Sequence, residues 1–461
     1  MSFVWRERLH QLRNGLVGAL AVAVMYLSSE LLIWGLSIVL STSNMAFFSS
    51  VLGMVVVLIL SIGIGYLFKY ADPIYRSWLK PKVDLINSHV GVAFAVPIVM
   101  IDESEKLNGQ EIGRVIAAFV CEYWTIVVPF TSIFAIGVPL TVAVGEPRIL
   151  DGTVIWFIWM SSVKLQRSLK EYTKEATSHP RILRACTTMA NPVLVTTLLL
   201  TAYVRAKAYA RLGLSLARVQ AAFSGGSPLY AIWTSQVQRV TLPNNPTGWF
   251  GAGDAALSIL ECGFVIWGFK LYECRRQLFS MAGLVTVIIC IVSAAGNVYL
   301  SVLLGHILGL GKAEALAFAA RNTTLALAKP AIEAVGGNMV VNAALVVSNG
   351  IVGQLSYPYI LDRIGVKQTG LPVCRQPSRS STETSEKRDD EGTGNQPDDA
   401  VTIAAGVAIG INGAAMGVAY LYENKSRAAP YAALAMTTYG VMTVLFVAVD
   451  PFKGALLGLP L

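Results

Sequence analysis

An all-α polytopic membrane protein is the fold class that this 461-residue sequence predicts. About ten to thirteen transmembrane helices are expected, discontinuous helices among them, with inverted repeats in the C-terminal module. Three observations predict it. Apolar residues make up 54% of the chain and charged residues 14%, with a mean hydropathy of +0.57. Soluble domains carry about 25% charged residues, because a long chain in water needs a polar skin. Apolar stretches recur from end to end, at 15–40, 45–68 and 279–300 for example. About 20 such residues cross a bilayer. Finally, some of these stretches are interrupted by glycine, asparagine or charge, the pattern of helices that break within a membrane.

The elements follow in order. The N-terminal "MSFVWRERLHQLRNG" carries Arg6, Arg8 and Arg13 ahead of the first span and lacks a small-residue cleavage site. It reads as a retained anchor rather than a signal peptide. Residues 14–143 read as four spans. A basic loop (Lys69, Arg76, Lys80, Lys82) and a mostly acidic one (Asp102–Glu111) place the N-terminus in the cytosol. Thr153–Val163 is too short to span and, with its tryptophans, reads as an interfacial helix. Lys164–Arg184 reads as a cytosolic linker. Further spans are expected near 186–204, 252–270, 279–300, 312–334, 339–361, 401–422 and 429–449. Between them, 205–250 reads as an amphipathic helix plus loops, with room for another partial span, and holds Arg205, Lys207, Arg211 and Arg218 at helical spacing. The polar stretch 367–399 buries too little apolar surface to offset its ordering entropy and is expected to be disordered. The domain plan is therefore a four-span module at 1–152, a connector at 153–184 and a transport module at 185–461.

Several function classes drop out. The formal charge of +8 is spread over short loops with no basic stripe and interleaved aromatics, so nucleic acid is not an expected partner. The six cysteines form no CxxC pair and the four histidines show no ligand spacing, so no metal or cofactor is expected. Without a nucleophile–base constellation, an enzyme is not expected either.

The chemistry is in the polar residues of the apolar segments. "ARNTTLALAKPAIEAVGGN", Ala320–Asn338, places Arg321, Asn322, Thr323 and Thr324 in one such segment. A charge at the bilayer centre costs about 2.5–3.5 kcal/mol on insertion scales, so it faces a partner or a wet cavity. A guanidinium there can grip a carboxylate with two parallel hydrogen bonds. If a helix begins at this point, its amides and dipole add to the anion site. The competing reading is snorkelling, or an ion pair with a membrane acid such as Asp254 or Glu261. Lys329-Pro330 reads as a kink with a snorkelling lysine. "GVAIGINGAAMGVAYLYE", Gly406–Glu423, carries Gly406, Gly410, Gly413 and Gly417 around Asn412. Glycines at this spacing either let helices pack closely or mark a broken helix with exposed backbone. "GAGDAALSILECGF", Gly251–Phe264, and "NPVLVTT", Asn191–Thr197, are proposed counterparts, giving inverted repeats over about 186–300 and 312–453.

These residues resemble the LrgA/LrgB (CidA/CidB-like) family, and more closely its fused, plastidial glycolate/glycerate translocator type. The LrgB-like match rests on "GAGD" at 251–254, "RNTTLALA" at 321–328, "GG" at 336–337 and the glycine-rich segment at 406–423. "GVAFAVPIVM" at 91–100 carries the LrgA-like part. The resemblance implies a carrier of small carboxylates such as glycolate, glycerate or pyruvate; bacterial relatives are described as holin-like. The sequence departs from the family where Gly413 and Ala414 stand in place of a Ser-His pair, which removes proton coupling through that position. Thr324, Leu325 and Ala326 likewise replace Thr-Thr-Pro. On this basis Arg321, Asn322, Thr323, Thr324, Gly410, Asn412 and Gly413 are expected to bind a small organic anion. Asp254 and Glu261 are expected to serve a coupling cation, proton or sodium, or to balance charge. The partners expected are that anion, the cation, the lipid bilayer and further copies of the chain. A holin-like pore or lysis-regulating oligomer is the alternative.

Overall fold

A computed structural model describes residues 2–42, 45–68, 70–100, 137–175, 187, 190–210, 215–242, 245–273, 275–366, 399–424 and 426–459. The acidic loop at 102–111, Arg211 and the polar stretch at 367–398 lie outside the described residues. The chain divides into two compact units, Met1–Glu273 and Cys274–Leu461.

The first unit contains α1 (Ser2–Ser41), α2 (Ser49–Leu67), α3 (Lys80–His89), α4 (Pro147–Glu175), α5 (Pro192–Ala210), α6 (Leu216–Phe223), α7 (Leu229–Gln238) and α8 (Ala252–Glu273). Its centre is α8, which is apolar on nearly every face and buried accordingly. A side chain at Gly268 would run into the α2 backbone at Met54, and one at Gly263 would meet Val90. Lys270 of α8 pairs with Asp84 of α3, and the Trp267 indole donates to Asn87 at 2.7 Å. Tyr26 of α1 shares a hydrogen bond with Ser258 of α8 at 2.6 Å. These bonds bind α8 to the N-terminal helices, so the compact division falls after Glu273, inside the 185–461 module of the sequence plan.

The α4–α5 pair is clamped by a buried carboxylate. Asp151 of α4 accepts from Tyr203 at 2.7 Å and from Lys207 at 2.6 and 2.7 Å, both on α5. Thr153–Val163 is therefore not a separate short helix. It is the middle of a 29-residue helix that continues through Lys164–Glu175, where a linker is expected from the charge content. The expected amphipathic helix at 205–250 is instead three elements: the end of α5, then α6 and α7.

The second unit contains α9 (Met281–Ile307), α10 (Lys312–Ala317), α11 (Leu325–Val335), α12 (Met339–Arg363), α13 (Ala400–Glu423) and α14 (Ala429–Ala448). Here α14 is the buried element. Cβ atoms at Gly406 and Gly410 would strike the α14 backbone at Ala428 and Ala432, so these glycines set how closely α13 approaches it.

Seven of the described helices are long and apolar enough to cross a membrane. Leu20 and Leu31 on α1, Ile59 and Leu60 on α2, and Val292 and Leu300 on α9 are exposed apolar side chains on such helices. Water would make that surface a liability, whereas lipid covers it. The protein is an integral, multi-pass, all-α membrane protein. The expected ten to thirteen spans include segments within 101–136, outside the described residues. The expected repeats at 186–300 and 312–453 fall across the division between the units. Within the first, α5 and α8 are each continuous; within the second, two segments are interrupted.

Candidate functional site

The first interruption lies between α10 and α11. After Ala317 the chain tightens into a 3-10 turn, Phe318–Ala320, and the helix is interrupted by a turn over Arg321–Thr323. Asparagine and threonine at this point favour a turn, because their side chains compete for backbone hydrogen bonds. Helix α11 restarts with Thr324 at its N-cap in extended geometry (φ −74°, ψ 147°) and ends at Gly336, whose φ of 68° suits a glycine cap. It runs on through Lys329-Pro330. The Thr324 hydroxyl makes no capping bond.

The second interruption is in α13. Ala414 has φ 42° and ψ −135°, a left-handed geometry that a residue with a Cβ rarely adopts. Both readings of the glycine-rich segment therefore hold at different residues. Gly406 and Gly410 serve packing, and the break falls at Ala414. A Cβ at Gly413 would collide with the Tyr357 hydroxyl of α12, so Gly413 makes room for that ring.

The two breaks meet inside the second unit. Asn322 donates to the Asn412 side chain at 3.4 Å. Asn349 of α12 joins them, donating to the Asn322 side chain at 3.0 Å and to the Asn412 backbone carbonyl at 2.6 Å. A helix break releases carbonyls in the turn before it, and Asn349 takes up one of them. Asn349 escapes sequence reasoning, although "SNG" at 348–350 inside an apolar stretch is a signal of the same kind as Asn412.

Arg321 stands beside this junction, half-buried. Its Nη2 donates to Asn297 of α9 at a long 3.4 Å, and its guanidinium lies 6.0 Å from the Phe318 ring centroid. Among the described residues it forms no salt bridge. Its Nε, the Asn297 amide nitrogen and the hydroxyls of Thr323 and Thr324 are buried and without hydrogen-bond partners among the described residues. Tyr439 of α14 lies against Asn322, Thr443 and the Arg321 guanidinium without a hydrogen bond of full geometry. Buried polar groups are costly unless paired, so several together mark a place built for a polar guest. The edge formed by Nε and Nη2 of Arg321 presents two parallel donors, the geometry that fits a carboxylate. Helix α11 begins at Leu325, so its first-turn amides and positive dipole end lie close to Arg321 in the chain.

The remaining expected site residues lie in the first unit. The Asp254 carboxylate accepts from the Ser224 hydroxyl (2.6 Å) and from the amides of Gly225 (2.6 Å), Gly226 (3.0 Å) and Gly251 (2.8 Å). Four donors fill its acceptor positions, and what it does there is hold the loop between α6 and α7 onto the start of α8. Glu261 lies about two turns further along α8, within electrostatic range of Glu30 on α1. Asn191, in the proposed counterpart segment, caps α5 by accepting from the Val193 amide at 2.8 Å.

No curated protein and no solved structure matches the chain. Residues 179–371 match the model of the LrgB-like family, a membrane family associated with holin/antiholin-like or transport function. That stretch holds Asp254, Glu261, Arg321–Thr324 and Asn349.

Proposed function

We propose that the protein is a secondary transporter of small monocarboxylates of the glycolate, glycerate or pyruvate kind, working by alternating access. The observation that carries this reading is the junction of two broken helices beside an arginine that no acid among the described residues neutralises, with buried donors left unpaired around it. Arg321 grips the carboxylate through Nε and Nη2. Thr323, Thr324 and the Asn322–Asn349–Asn412 cluster supply hydrogen bonds to carboxylate or hydroxyl oxygens. The interrupted backbones give the site its two sides, as in carriers whose substrate lies between half-helices.

The test is uptake of labelled glycolate, glycerate and pyruvate into proteoliposomes. Wild-type uptake should saturate. Arg321→Ala should lower it about 10- to 100-fold, the worth of a charge-assisted bond, while still inserting into the membrane. Arg321→Lys should recover only part, because an ammonium cannot make the two-pronged contact. Undiminished saturable uptake by Arg321→Ala would remove this site from the mechanism.

The LrgB-like match also supports a holin-like pore. That reading needs no carboxylate site and expects a flux that rises with assembly of copies, does not saturate with organic acid and ignores Arg321.

A further inference from the structure

The first unit holds a carboxylic acid that the anion site does not use. Glu30 lies in the apolar stretch Gly15–Ser41 of α1, long enough to span the membrane, and its side chain is fully buried. Neither of its oxygens has a hydrogen-bond partner among the described residues. The charged group that faces it is another acid, Glu261 of α8.

Neighbouring bonds set this juxtaposition. Tyr26, one turn before Glu30, is bonded to Ser258, three residues before Glu261. Ser29, next to Glu30, lies beside Cys262, next to Glu261. On the far side the Trp34 indole of α1 donates to Thr234 of α7 at 3.2 Å, bringing Tyr230 of α7 within range of Glu261. The titratable groups around Glu30 are thus Tyr26 on its own helix, Glu261 and Cys262 on α8 and, behind Glu261, Tyr230 on α7. Helix α2 has no charged residue in its sequence. On α3, Asp84 is paired with Lys80 and Lys270. Among the described residues no cation compensates Glu30. A lone ionised carboxylate in such a place is costly and a second one beside it more so, whereas the neutral acid avoids both penalties. Ionisable residues inside membrane helices commonly mark ion or proton pathways.

We propose that Glu30, with Glu261 beside it, is a proton-binding site of the N-terminal unit. A proton from the aqueous phase adds to a Glu30 carboxylate oxygen, giving the neutral acid, and leaves by the reverse step. That this proton is the one coupled to transport rests on the carrier reading above; the site itself does not. It sits far along the chain from Ala414, where the family's histidine is missing.

The direct test is infrared difference spectroscopy of the full chain in lipid vesicles. The carbonyl band of a protonated carboxylic acid, shifted in heavy water, should be present in wild type and lost in Glu30→Gln. A band unchanged in Glu30→Gln overturns the proposal. Should that variant fail to fold, Glu30→Asp should move the band, and an unmoved band overturns it equally. Glu261→Gln should also shift the band, and no shift removes Glu261 from the site. Sodium-specific thermal stabilisation that Glu30→Gln abolishes would replace the proton by a metal cation and sink the assignment. In uptake assays, an imposed pH gradient should drive accumulation by wild type and add nothing to Glu30→Gln. If the band behaves as expected but the gradient is without effect, coupling fails and the proton site stands. If wild type transports no carboxylate, the carrier reading fails while the infrared result still decides.

Discussion

Thr324 holds the N-cap of α11 in the right backbone geometry and yet bonds none of the helix amides. An N-cap threonine that does its usual work costs about 0.5–2 kcal/mol when cut to alanine. Thr324→Ala has no such bond to lose, so its thermal midpoint should stay close to wild type. Its half-saturation concentration for carboxylate should rise about two- to tenfold, the worth of one hydrogen bond. A large fall in midpoint with unchanged uptake would assign the hydroxyl to the fold instead. Ala414 is the converse case, a residue whose backbone works against it. Left-handed geometry in a non-glycine residue costs on the order of 1–3 kcal/mol, and glycine gives back part through its greater freedom when unfolded. Ala414→Gly should therefore stabilise the protein by about 1 kcal/mol, read as a higher midpoint in thermal unfolding. A lower midpoint would show that no strain is held there.

Elements here are joined by single polar residues that satisfy freed backbone groups. Asn349 ties the α10–α11 break to the α13 break, and Asp254 ties the α6–α7 loop to α8. Asp254→Asn would turn an amide nitrogen, a donor, towards backbone donors. A loss of about 3 kcal/mol in stability is expected, from one or more charge-assisted bonds. Uptake per folded molecule should be unchanged, because the carboxylate's partners are in that loop and at the start of α8. A stable variant that has lost cation dependence would return Asp254 to the coupling role expected from sequence. Element type was readable throughout: α8, α9, α13 and α14 lie where their apolar runs predict. The length of α4 was not readable, because its charged second half continues the apolar helix and its start is held by a charge on α5. Asp151 is clamped by Lys207, 56 positions away, and no local pattern records that.

At the scale of the whole molecule, a bound substrate stabilises the folded state by mass action, about 2.7 kcal/mol at a hundredfold excess over the dissociation constant. A thermal-shift screen of the purified chain against small organic acids should therefore find a midpoint that rises with ligand concentration, and Arg321→Ala should abolish the rise. A shift retained in that variant would place the ligand elsewhere.

Composition and the spacing of apolar runs were enough to determine a helical protein immersed in lipid, and the cost of burying Arg321, Asn322 and Asn412 was enough to point at two stretches. Those are local energies, carried by each segment alone. Which glycines pack and which residue breaks was decided only in the tertiary structure. So were the arrival of Asn349 at both breaks, the capture of Asp254 by a loop and the facing of Glu30 by Glu261. Each depends on what a distant segment brings to the same place. A sequence states what a buried polar group will cost, but only the fold determines which group, if any, meets that cost.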